Sequence, residues 1–96
     1  MPKIEIKFSK EQYDTLMSLF AMKNLNDYDY NIDNLQAAIH QAESGEFILL
    51  VTPEMRSTLL DFVDDKKTEY GFNEDYDVNE LGQRLTLLWD SIYSQN

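Results

Sequence analysis

Near its start the chain alternates: Ile4, Ile6 and Phe8 are separated by Glu5 and Lys7. Period two puts the apolar residues on one face of a strand and the charges on the other. After Ser9 the period lengthens. Tyr13, Leu16, Met17 and Phe20 recur at helical spacing and predict an amphipathic helix. Ser9 stands at its N-cap, with Gln12 at the reciprocal position of a capping box. A second helix is predicted to start around Asn31 and Asn34, with Ile32, Leu35, Ala38, Ile39 and Ala42 inward and Gly45 as a left-handed stop. Phe47 to Val51 then reads as a second strand. Thr52 caps a third helix and Pro53 fits its first turn, where a missing N–H costs nothing. Leu59, Phe62 and Val63 form its inner face and Gly71 ends it. A capping box of Asp77 and Glu80 opens the last helix, whose seam is Val78, Leu81, Leu85, Leu88 and Ile92. Only two heptads are available, which implies bundle packing. Gly82 lies inside this helix, where it costs about 1 kcal/mol relative to Ala and permits a close approach.

The same order of features appears twice. With a shift of 43 positions, Ile4, Ile6 and Phe8 fall on Phe47, Leu49 and Val51, Ser9 on Thr52, and Leu16 on Leu59. A shift of 46 lays residues 29–35 on 75–81. The chain therefore reads as one small α+β domain, residues 1–96, made of two pseudo-repeated strand–helix–helix units at 3–45 and 46–94. The expected core is a short two-stranded antiparallel sheet packed with four helices.

The units differ on the outer face of their strands. Where the first carries Glu5 and Lys7, the second carries Ile48 and Leu50. The last helix is also the longer one, and adds Leu87, Trp89 and Tyr93 beyond its seam. Extra helical turns that cover Ile48 and Leu50 are the ordinary expectation. The sharper one is an apolar patch of Ile48, Leu50, Trp89 and Tyr93 that binds a partner protein or a second copy of the chain.

Charge changes the picture most. The 96 residues include 18 acids against 8 Lys and Arg, a net charge of −10. Such a balance repels phosphate and argues against direct binding to nucleic acid or to an anionic membrane. Between Asp61 and Glu80 lie eight acids, namely Asp61, Asp64, Asp65, Glu69, Glu74, Asp75, Asp77 and Glu80, opposed only by Lys66 and Lys67. Residues four apart on a helix rise about 6 Å, a spacing comparable to that of neighbouring phosphates. The longest apolar run, Phe47 to Val51, is far short of the roughly 20 residues that a membrane helix needs, and the alternating start does not resemble a signal peptide, so the expected compartment is the cytoplasm.

Candidate chemistry is sparse. There is no cysteine, which excludes disulfides, thiol nucleophiles and thiolate metal sites. His40 is the only histidine and has no glycine-rich nucleophile turn to serve. Asp27, Asp29, Asn31 and Asp33 open like a calcium loop, but Ile32 stands where the turn glycine belongs and Ala38 where the bidentate glutamate belongs. In the segment that begins at Asp75 and Asp77, Glu80 and Thr86 fill those two places. No metal, cofactor or catalytic group is expected. Small, acidic and cysteine-free is the profile of nucleic-acid mimics, among them anti-restriction, anti-CRISPR and nuclease-immunity proteins. The leading expectation is therefore a non-enzymatic inhibitor of a protein with a basic surface. A regulatory or scaffold module, possibly a homodimer, that binds through the apolar patch is the alternative.

Overall fold

The computed structural model describes residues 3–21 and 32–95, with the backbone alone for Ile32 and Asp33. The elements run β1 (Ile4–Phe8), α1 (Lys10–Ala21), α2 (Ile32–Ala37), β2 (Ile39–Gln41), β3 (Phe47–Val51), α3 (Pro53–Tyr70) and α4 (Glu80–Ser94). The fold is mixed α and β, with a three-stranded antiparallel sheet in the order β1-β3-β2.

Side-chain period explains which faces are buried. Ile6 and Phe8 of β1 and Phe47, Leu49 and Val51 of β3 join one core with Leu16, Leu19 and Phe20 of α1, Leu59, Phe62 and Val63 of α3, and Leu85, Leu88 and Ile92 of α4. The helices thus take one face of the sheet. The β1–β3 pair is antiparallel and centred on Ile6↔Leu49, in line with the expected meeting of the two five-residue strands. Tyr13 of α1 lies flat on Phe47 at the sheet's end, with ring centroids 3.7 Å apart.

The helix starts follow their sequence signals in two of three cases. Ser9 and Gln12 form the reciprocal box: the Ser9 N–H donates to Gln12 Oε1 at 3.0 Å, and the Gln12 N–H to Ser9 Oγ at 3.2 Å. Thr52 Oγ1 accepts from the Met55 N–H at 3.2 Å, with Pro53 in the first turn. The third start differs. Asn79, not the Asp77 and Glu80 pair, caps α4, because its Oδ1 accepts from the Gly82 N–H at 2.8 Å while its Nδ2 donates to the Tyr70 carbonyl at 2.8 Å. One amide side chain therefore opens α4 and closes α3. It holds Gly82 against Gly71 so closely that a methyl on Gly82 would run into the Gly71 carbonyl oxygen. The close approach expected of Gly82 is present, and its partner is the end of α3.

Three expectations are corrected. The sheet has three strands, not two, because the second helix ends at Ala37 and the chain turns back as β2. Residues 39–41 instead satisfy the other edge of β3, pairing Ile39 with Leu49 and Gln41 with Phe47. Gly45, at φ +93°, serves the β2–β3 turn and not a helix end, while Gly71 at φ −87° ends α3 without a left-handed residue. Nor do the added turns of α4 cover Ile48 and Leu50. α4 packs on α3 and α1 on the core side of the sheet, and Leu50 on the opposite side is 37% exposed.

The outer edge of β1 is closed by one side chain. Gln95, just past α4, accepts from the Lys7 N–H at 2.7 Å and donates to the Lys7 carbonyl at 2.9 Å, as a neighbouring strand would.

Candidate functional site

The acids of residues 61–80 fall into three groups. Asp61, Asp64 and Asp65 are exposed along one stripe of α3, opposite the buried Leu59, Phe62 and Val63. The 18-residue helix packs along its length on α4, so these carboxylates stand on a fixed base. Glu74, Asp75 and Asp77 are exposed in the loop that follows. That loop is tied by Asn73 N–H to the Asp77 carbonyl at 2.8 Å and by the bridge between Phe72 and Val78. At its tip Tyr76 is 86% exposed and adopts a left-handed φ of 68°. Glu69 and Glu80 form the third group, each beside a cation: Glu69 lies 3.8 Å from Lys66 Nζ and Glu80 2.9 Å from Arg84 Nη2.

The two opposing lysines do not sit among the stripe. Lys66 is fully buried, with its ammonium 5.5 Å from the Phe62 ring centroid and 5.6 Å from that of Tyr70. A long aliphatic stem lets the helix bury it along apolar surface while the charge meets ring faces and Glu69. Lys67 is half-buried on the flank that faces α4. Neither lysine therefore stands on the outward face of α3 among Asp61, Asp64 and Asp65.

Between α3 and α4 runs a cleft of about 200 Å³ lined by Val63, Asp64, Lys67, Leu85, Thr86, Trp89 and Asp90. Sequence reasoning missed Asp90 entirely. Its place after Trp89 marks it as off the seam, but no sequence signal says that it lines the same cleft as Asp64 from the neighbouring helix. A shallower, polar hollow of about 450 Å³ lies among Lys10, Glu11, Asp14, Thr15, Ser18 and Arg84, where Lys10 is held by Asp14 at 2.7 Å.

The residues of the apolar patch are not brought together. Ile48 and Leu50 face away from the helices, beside Glu5, Lys7 and His40 on the same side of the sheet. Trp89 and Tyr93 lie on α4, stacked with centroids 5.0 Å apart. Arg56 caps that stack, 5.6 Å from the Tyr93 ring, and donates to the Tyr93 carbonyl at 2.7 Å.

Comparison with protein-family models, with curated proteins and with solved structures gives no match for this chain. Its own geometry is therefore what carries a functional reading. Among the described residues, no group of three or more His, Asp or Glu is placed to hold a metal ion. Asp27, Asp29 and Asn31 of the calcium-like segment, and the side chain of Asp33, lie outside the described residues. His40 is exposed on β2 opposite Ile48. No described helix is long and apolar enough to cross a membrane.

Proposed function

We propose that this chain is a non-enzymatic inhibitor that occupies the basic, nucleic-acid-binding surface of a partner protein. The observation that carries this reading is the exposed Asp61, Asp64 and Asp65 stripe on a helix anchored along its length, with Lys66 turned inward. A mimic of a phosphate row needs carboxylates that are ordered before binding, since flexible acids lose entropy when they are fixed. Glu74, Asp75 and Asp77 extend the same charge beyond the end of α3. Binding of this kind is driven by field, so it weakens as the Debye length falls from about 10 Å at 0.1 M salt to about 3 Å at 1 M. The test is capture of partners from the source cell with wild-type protein and with an Asp61→Lys, Asp64→Lys, Asp65→Lys variant. The expected partner is lost on high-salt washing, lost with the variant, and displaced by added nucleic acid. A partner that persists in high salt and protects Trp89 would instead favour the regulatory or scaffold module. That alternative draws less support, because Ile48 and Leu50 lie across the sheet from Trp89 and Tyr93.

The two halves also read as descendants of one strand–helix–helix unit. In support, the 43-residue shift carries the β1–β3 register onto itself, Ile4↔Val51 onto Phe8↔Phe47 and Ile6↔Leu49 onto itself. β2 has no counterpart in the second half, and the described part of α2 has six residues against fifteen for α4.

A further inference from the structure

We infer that the cleft between α3 and α4 receives one arginine side chain of the basic partner; this rests on the acidic-interface reading and names its central contact. The floor is apolar, from Val63, Leu85 and the indole of Trp89, and the rim carries Asp64 from one helix and Asp90 from the other. A guanidinium suits this combination better than an ammonium does. It is planar, weakly hydrated, stacks on aromatic faces and forks its N–H groups between carboxylates. At about 200 Å³ the cleft is smaller than the roughly 300–1,000 Å³ of small-molecule pockets, and fits a side chain and not a cofactor. The molecule already holds one guanidinium against an aromatic face nearby, with Arg56 over the Tyr93 ring that stacks on Trp89. Lys67 also lines the cleft, so two carboxylates face one ammonium there, and this lysine competes with an incoming cation. Asp61 and Asp65 are exposed on α3 outside the cleft lining and add only to the general field.

Trp89 is the only tryptophan and lines the cleft, so its fluorescence serves as the reporter of binding there. The experiment titrates the protein at low salt with a hexa-arginine peptide and with a hexa-lysine peptide of equal charge. Expected is a saturable change in Trp89 emission with arginine, at least severalfold tighter than with lysine. Asp64→Asn and Asp90→Asn should each weaken arginine binding by about two- to fivefold, the range for exposed ion pairs. Asp61→Asn and Asp65→Asn should weaken both peptides slightly and alike, and Lys67→Gln should tighten arginine binding. Arginine binding that leaves Trp89 emission unchanged, or that responds to Asp61→Asn as much as to Asp90→Asn, overturns the cleft while the acidic interface stands. Equal binding and equal emission change with lysine overturn the arginine preference. Failure of both peptides to bind at low salt overturns the cleft and the electrostatic reading together.

Discussion

Lys66 shows how far a residue's position on a helix outweighs its type. Sequence counting sets it against the acids around it, whereas the structure buries it completely, with its ammonium near the Phe62 and Tyr70 rings and Glu69. The apolar residues are easier to read, because period alone separates inward from outward. Leu16, Leu59 and Leu85 are all fully buried, as their spacing implies, while Leu81 at the edge of the seam is only partly so. Leu→Ala at each of the first three should cost about 2–5 kcal/mol in denaturant melts, and Leu81→Ala less. Three near-wild-type midpoints would show that these faces are not the core. Gly82→Ala separates two physical effects of opposite sign. Helix propensity alone would stabilise by about 1 kcal/mol. The added methyl, however, meets backbone at Gly71, which cannot swing aside as a long side chain can. The expected outcome is a lower melting temperature, and a higher one would mean that α3 and α4 separate easily.

At the level of elements, start signals proved more legible than end signals. Ser9 and Thr52 cap where their sequence context puts them, because capping is a contact between near neighbours. The end of α2 depends on partners far away. Ala38, Ile39 and Ala42 fit a helical face as well as a strand, and only the open edge of β3 decides for β2. The cap of α4 was missed for a related reason: Asn79 is chosen over Asp77 by its second bond, to Tyr70, which lies nine residues back. That double role sets an expectation. Thr52→Ala removes one cap bond and should cost about 1 kcal/mol. Asn79→Ala removes a cap and a tie between helices, and should cost about 2 kcal/mol. Thermal or denaturant unfolding of the two variants side by side checks the order. Equal losses would mean that the bond to Tyr70 contributes nothing net.

For the molecule as a whole, a net charge of −10 gives salt two opposite effects. Screening relieves repulsion within the folded chain, so the melting temperature should rise between low and moderate salt. The same screening should loosen any complex with a basic partner. A melting temperature that falls with salt would show that native ion pairs outweigh the repulsion. Of the candidate site, the acidic segment was readable from sequence because it is contiguous. The cleft was not, since its lining is drawn from two different helices, with Asp64 on one and Asp90 on the other. Non-local pairing also governs the sheet. β3 is its middle strand, yet it is made long after β1, and Gln95 closes the Lys7 edge from 88 residues away. On a ribosome adding about 5–20 residues per second, Ile4, Ile6 and Phe8 therefore wait roughly 2–9 s for the strand that buries them. In that interval β1 holds its apolar face open to chaperones, and the hairpin of β2 and β3 is the template onto which it finally zips.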